Sequence, residues 1–261
     1  MKSDIGKVVT ITFRCHRVRK WQNLNWQRSC KHEEMPVATQ VVIIGAGGFA
    51  REVLDVFDAC NKDNQDYQVL GYIVESRYGI PGTLVNGKPI LGDFDWFAQH
   101  PGDIFAICGV GAPAIRYRLI KRAMEYDVRF CNAIHPTAVL TPWITMGKGI
   151  VITAGCILTN QIQVGSHVHI NLGCTIGHDA ILEDFVTMAP GVHVSGKVRL
   201  SMGCYIGTGA NIIEQVSIGE WAIVGAGSTV VKDIPANCTA VGIPGKVIKV
   251  RESGWHLLDG E

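Results

Sequence analysis

His178 is followed directly by Asp179, and Gly196 stands 18 residues beyond the histidine. An imidazole can take a proton from an incoming hydroxyl or amine. A carboxylate beside it can hold the ring tautomer and favour the imidazolium. A backbone N–H can stabilise the oxyanion that forms on a carbonyl under attack. Acyl transfer needs this set, provided the chain brings residues 178 and 196 onto neighbouring rungs, about 4.8 Å apart.

The elements that would do so show in a period of six. From Ile134 to Val230 every sixth residue is aliphatic or methionine, seventeen positions in succession. The residues two places earlier, from Ala138 to Ser228, are small or β-branched. Glycine often follows the aliphatic position, as at Gly147, Gly165, Gly177 and Gly207, which a corner is expected to need. Neither an α-helix nor an ordinary strand keeps a period of six. A hexapeptide parallel β-helix does, and with three faces per coil one coil is 18 residues. His178 then sits at a corner with its side chain outward, and Gly196 one coil further on. Cys156 and Cys174, also 18 apart, are expected to stack inside.

Ahead of the repeat the pattern is different. Gln40–Gly45 reads as a buried parallel strand, followed by the loop GAGGFA and a helix carrying Val53, Leu54 and Phe57 on one side. Tyr67–Val74 and Ile104–Val110 read as further strands, with a Gly87-Lys88-Pro89 turn between them. Ala114–Tyr126 reads as a helix with Ile115, Leu119, Ile120 and Met124 on its inner side. This is a small Rossmann-like α/β unit. Its loop fits GxGxxA between strand and helix, where glycines let backbone approach a phosphate. Gly45, Gly47, Gly48 and Phe49 are therefore candidate nucleotide contacts, and Glu75 a candidate ribose partner. Residues 39–133 hold one mononucleotide half, which favours a nucleotide or nucleotide-sugar over NAD. The expected division is an unstructured extension (1–38), the α/β unit (39–133), the β-helix (134–236) and a C-terminal cap and tail (237–261).

Composition narrows the partners. Lys and Arg number 24 against 23 Asp and Glu, so nothing draws the chain to nucleic acid or an anionic membrane. No apolar run approaches the roughly 20 residues of a membrane span. The nine cysteines, odd in number and without CxxC, suit reduced thiols in a cytoplasmic protein. The first 34 residues are basic and Trp-containing without period; they read as an unstructured extension, or as translation from upstream of Met35.

In order, GAGGFAREV, GVGAPAIR, AIHPTAVL, NLGCTIGHDAILEDFVTMAPGVHVSGKV and VGIPGKV resemble the sugar O-acyltransferase family of the hexapeptide-repeat superfamily. The resemblance covers about residues 40–251 and includes sialic acid O-acetyltransferases and N-acetyltransferases of nucleotide-linked amino sugars. It implies a left-handed β-helix, a homotrimer, and acetyl-CoA bound in a groove between subunits. It assigns His178 as general base, Asp179 as its acidic neighbour, and Gly196 as the donor to the thioester carbonyl. It places Ala226, Gly242, Pro244 and Lys246 along the cofactor. Three positions depart from the family pattern: Phe49 and Val74 stand where a histidine and a second acid are frequent, and Thr187 replaces a second histidine nine residues after the base.

The leading expectation is an acetyl-CoA-dependent acetyltransferase acting directly on the amino group of a nucleotide-linked sugar. No Cys or Ser beside His178 offers itself as a nucleophile for a covalent intermediate. O-acetylation of a sugar such as sialic acid is the alternative. A non-catalytic sugar-nucleotide-binding trimer is a second class, and a nicotinamide oxidoreductase built on GAGGFA would leave the β-helix unexplained. No metal is expected. His167 and His169 form an HxH, but no two histidines of the repeat are five residues apart, the spacing of β-helix zinc carbonic anhydrases. His135 and His193 read as surface or interface residues. Substitution of Gly196 is expected to matter less than loss of His178, because its contribution is a backbone N–H, unless the new side chain blocks the thioester.

Overall fold

Short apolar runs build the first sheet, where strands covered on both faces need no polar alternation. They are β1 (Thr39–Ile44), β2 (Tyr67–Ile73), β3 (Leu84–Val85), β4 (Lys88–Gly92), β5 (Phe105–Cys108) and β6 (Arg129–Phe130). The computed structural model describes residues 38–62, 66–100 and 104–258; the expectations for the N-terminal extension and Met35 lie outside them. The sheet order is β3-β4-β2-β1-β5-β6, parallel except for the β3–β4 hairpin. The turn of that hairpin is Asn86-Gly87, with φ of +44° and +76°, while Lys88 and Pro89 already belong to β4. The turn is thus one residue earlier than the sequence suggests, because two successive left-handed residues match the twist of the flanking strands.

Two helices cover the sheet, α1 (Gly48–Cys60) and α2 (Pro113–Met124). Helix α1 buries Ala50, Val53, Leu54, Val56 and Phe57 as its spacing predicts. Helix α2 does not follow its spacing. Ile115 and Met124 are exposed, and the buried set is Pro113, Arg116, Ile120 and Ala123. A guanidinium occupies the inner face where the pattern placed isoleucine, because it meets acceptors there that only a cation fork can serve.

Seventeen two-residue strands follow, from β7 (Ala133–Ile134) to β23 (Thr229–Val230). The second residue of each is the six-step aliphatic, and it points inward. Each strand pairs in parallel with the one a coil later, as in Ile152↔Ile170 and Ile170↔Met188. Three sheets result, one per face of a left-handed triangular coil. The first runs through β7, β10, β13, β16, β19 and β22; the second through β8, β11, β14, β17, β20 and β23; the third through β9, β12, β15, β18 and β21. The C-terminal segment extends the first face with a parallel strand, β24 (Cys238–Val241), closed by the antiparallel β25 (Lys246–Val250). Cys156 and Cys174 stack in the interior on consecutive coils and donate to the carbonyls of Asn171 and Ala189.

The corner glycines serve a purpose other than the expected one. Gly165, Gly177 and Gly207 are not left-handed; a Cβ at Gly177 would lie 2.5 Å from the Gly196 nitrogen, and one at Gly207 2.6 Å from that of Ala226. They are required by the close stacking of coils. The left-handed residues fall two positions later and recur every six residues, with Asp179, Phe185, Lys197 and Trp221 among them. Stacking of the coils fixes the backbone there whatever the side chain.

The first face is roofed by the α/β unit. Ala133 and Val151 join the cluster of Val53, Phe57 and Ile107, and Phe185 joins that of Ile44, Phe94 and Phe130. No helix among the described residues is long and apolar enough to cross a membrane.

Candidate active site

His178 lies at the corner between β14 (Thr175–Ile176) on the second face and β15 (Ile181–Leu182) on the third. Its side chain is more than half exposed, at 56 %. The corner is held by backbone alone: Asp179 N–H donates to the Asn160 carbonyl at 3.0 Å, Lys197 N–H to His178 O at 2.8 Å, and Gln215 N–H to Gly196 O at 3.1 Å. Asp179 takes the left-handed conformation, φ +59°, which a short polar side chain tolerates well. Its Oδ2 lies 2.8 Å from His178 Nδ1. With Nδ1 donating to that carboxylate, Nε2 is left as the basic nitrogen.

That nitrogen faces the next coil. A Cβ built on Gly196 would come within 2.7 Å of both Nε2 and Cε1 of His178. The ring thus rests in the space that glycine leaves, and the Gly196 N–H donates to no acceptor among the described residues. The three residues singled out by their spacing are brought together.

A second group gathers in the α/β unit. The chain runs from β1 to β2 on one side and to β5 on the other, so the strand order reverses between β1 and β5, and ligands in such sheets bind beyond the carboxyl ends there. Both loops at that point are glycine-bearing and pack on each other. Gly45 has φ +95°, and a Cβ on it would lie 2.8 Å from Val110 Cγ2; one on Gly109 would strike Ala50. Gly47 caps α1 with no side-chain partner, and Gly48 is exposed beside it. Glu75 closes the same edge, but its carboxylate is engaged by Arg77 at 3.3 Å and Arg122 at 3.4 Å. A ribose hydroxyl would have to compete with two arginines. Phe49 turns away from this edge toward His169, with ring centroids 4.9 Å apart.

The remaining candidates lie apart from His178, nearer the C-terminal end of the β-helix. Ala226 is exposed at the corner between the first and second faces. Gly242, Pro244 and Lys246 form a loop against the last coil, tied by Gly242 N–H to Ser228 Oγ at 3.1 Å and Gly245 N–H to Thr229 O at 2.8 Å. Lys246 is exposed at the start of β25.

One polar centre escaped the sequence reading. Arg116, with no exposed surface, donates from Nε to His167 O, from Nη1 to Val110 O and Gly111 O, and from Nη2 to Phe185 O and Thr187 Oγ1, all at 2.7–3.0 Å. Its Nη1 also lies 3.0 Å from His169 Nδ1. Thr187 in turn donates to Gly111 O. The departure at Thr187 thus joins the α/β unit to the first face. His169 spends its Nδ1 lone pair on Arg116, and the His167 ring stacks on Phe185 with centroids 5.2 Å apart. Both residues of the HxH thus pack at the junction of the α/β unit with the first face. A buried arginine in an otherwise apolar helix face is the one signal that could have revealed the centre.

Burial, and secondarily the Arg116 charge, push the His167 imidazole down to about 4. In the unfolded chain it returns to about 6.5, so the unfolded state binds more protons between these values and stability falls as pH falls through that window. The gap corresponds to about 3 kcal/mol, lost between roughly pH 6.5 and 4 and constant above. Urea melts across pH 4.5–7.5 are expected to show this slope in the native protein and a flatter one in His167→Asn, since asparagine tolerates the left-handed backbone there.

Comparison with known proteins bears on the family and the fold. Residues 40–123 match the PglD N-terminal domain family. Over 215 residues the chain is 28 % identical to GDP-perosamine N-acetyltransferase of Escherichia coli, covering 79 % of this chain and 95 % of that protein. A mutant of perosamine N-acetyltransferase from Caulobacter crescentus, solved with CoA and GDP-perosamine, superposes with a TM-score of 0.74 at 30 % identity, covering 80 % of this chain and 97 % of that one. The acetyltransferase domain of PglB from Neisseria gonorrhoeae, in complex with acetyl coenzyme A, gives a TM-score of 0.73 at 28 % identity and is covered in full. On a Rossmann-like unit joined to a left-handed β-helix, with this likeness along nearly the whole length of its relatives, the chain belongs to the sugar acyltransferase family of the hexapeptide-repeat superfamily, as an acetyltransferase of the nucleotide-amino-sugar type.

Proposed function

We propose that the protein transfers acetyl from acetyl-CoA to the amino group of a nucleotide-linked amino sugar, with His178 as general base. The observation that carries this reading is the seating of the His178 ring against Gly196, with Asp179 on the far nitrogen. The amine nitrogen attacks the thioester carbonyl and its proton passes to Nε2 of His178. The Gly196 N–H donates to the oxyanion of the tetrahedral intermediate. Collapse breaks the C–S bond, and the imidazolium returns the proton to the departing thiolate. Asp179 holds the tautomer and offsets the charge.

The acceptor's nucleotide is assigned to the crevice of Gly45, Gly47 and Gly48, closed by Glu75; Phe49, turned toward His169, can contribute its backbone alone. Ala226, Gly242, Pro244 and Lys246 are assigned to the distal part of CoA, where Lys246 offers a cation to a phosphate. The Caulobacter neighbour, solved with both CoA and GDP-perosamine, supports this pairing of substrates. A homotrimer belongs to the same reading; Val139 and Ile157, exposed along the second face, support an interface there. Work in the cytoplasm is supported by the seven described cysteines, all free thiols.

The test is thiol release from acetyl-CoA against UDP-, GDP- and dTDP-linked 4-amino sugars, matching hydroxyl sugars and sialic acid. Release with one amino sugar nucleotide supports the reading. Release only with hydroxyl acceptors moves the reaction to O-acetylation. Silence throughout, with nucleotide-sugar binding retained, makes the protein a binder.

A further inference from the structure

Arg116 is an unusual object: a fully buried cation whose partners are all uncharged. Five backbone carbonyls, one hydroxyl and one imidazole surround it at 2.7–3.3 Å. The titratable groups that face it are His167, His169 and Cys108; burial holds the imidazoles uncharged and the thiol protonated. Removing such a charge from water is costly, and only complete hydrogen bonding compensates it. An apolar side chain would have joined helix to sheet with less. Its retention therefore has to be sought in what the guanidinium orients.

It orients one loop in particular. Val110 and Gly111 both turn their carbonyls onto Nη1, at 2.9 Å each, and Thr187 adds a second donor to Gly111 O at 2.9 Å. In a trans peptide the C=O and the following N–H point opposite ways. The N–H groups of Gly111 and Ala112 are thereby aimed away from the guanidinium, toward the outside of the loop. Neither donates to any acceptor among the described residues, and Ala112 is exposed. This loop is the one that packs against Gly45 where the strand order reverses. The other arms of Arg116 grip His167 and residues 185–187, the latter on the same run of coil that begins with the His178 corner.

We propose that Arg116 is a positioning residue for the acceptor. It turns the Val110–Ala112 loop so that two backbone donors face the nucleotide's phosphate oxygens, and it locks that loop in register with the β-helix, Thr187 acting as the second half of the clamp. The proposal rests on the reading that the α/β unit binds a nucleotide-linked acceptor. It adds which buried residues set the affinity for that acceptor without touching it.

The experiment compares Arg116→Lys, Thr187→Val and Thr187→Ser with the native chain, by steady-state kinetics in both substrates and by calorimetric titration of the nucleotide-sugar. Lysine keeps the charge and loses the fork. Valine keeps the shape of threonine and loses the hydroxyl, which serine restores. The expected result is a rise of 10-fold or more in acceptor KM and Kd for Arg116→Lys and of several-fold for Thr187→Val. KM for acetyl-CoA should stay within two-fold in both, and Thr187→Ser should return to near native values. An equal change in both KM values, or a fall in kcat and melting temperature with acceptor KM unmoved, would overturn the proposal and leave Arg116 a purely structural link. If Arg116→Lys fails to fold, the Thr187 pair decides alone. A native chain that neither binds nor acetylates any nucleotide-sugar defeats the underlying reading instead, before any variant is compared.

Discussion

Replacing His178 by alanine is expected to lower kcat by roughly 10²–10⁴-fold, the range that positioned acid–base groups supply. Affinity for acetyl-CoA should remain within about two-fold and stability within about 0.5 kcal/mol. The reasons are structural. The side chain is more than half exposed, its only polar partner among the described residues is Asp179, and the corner is held by the backbone bonds of residues 160, 178, 197 and 215. Nothing in the interior depends on the imidazole. Thiol release and calorimetric titration of acetyl-CoA check both halves, and turnover undiminished in His178→Ala would remove the residue from the mechanism.

Gly196→Ala is expected to be nearly as damaging, with kcat falling about 10²-fold and the fold intact. The backbone conformation at Gly196 is open to alanine, but its Cβ would stand 2.7 Å from the His178 ring atoms. The ring can swing outward into solvent, so the loss falls on catalysis and not on stability. A displacement near 1 Å at a reacting group is enough for a 100-fold effect. The expectation from sequence credited Gly196 with a backbone N–H and a smaller effect unless a new side chain blocks the thioester; the contact with the His178 ring adds a second route to loss. The double variant separates the two causes. If the alanine acts by displacing the ring, His178→Ala combined with Gly196→Ala loses no more than His178→Ala alone. If it acts by obstructing the thioester or its donor, the losses multiply.

The β-helix was legible because its interior samples the sequence at a fixed stride. Ile134, Leu140 and their successors to Val230 are the inward residues of β7 to β23, and no local feature overrides that. The same stride placed His178 beneath Gly196. The left-handed positions were not legible. Half are occupied by residues other than glycine, and for Phe185, Lys197 and Trp221 among them the intrinsic preference runs against φ > 0, so the neighbouring coils decide the matter. Helix α2 misled for a related reason. Hydrophobic spacing assigns arginine to water, and only the tertiary arrangement of carbonyls from Val110, Gly111, His167 and Phe185 makes the interior its better place. Glu75 lies at the end of the second strand as the sequence suggests, but its engagement by Arg77 and Arg122, from outside the motif, could not be read from GAGGFA.

The coil length bears on how such a chain finds its structure. All-β proteins usually fold slowly, because their strands pair across large sequence separations and the loop must close before any contact rewards it. Here every rung between β7 and β23 closes over 18 residues, as between Thr175 and His193. The closure cost is the same for each added coil, so the β-helix has the contact order of a much more local fold and can grow from any coil outward. The bonds that join the α/β unit to the β-helix reach much further: those from Arg116 to His167, His169, Phe185 and Thr187 span 51 to 71 residues, and that from Thr187 to Gly111 spans 76. Assembly of the ladder does not wait for them; the union of the α/β unit with the β-helix does.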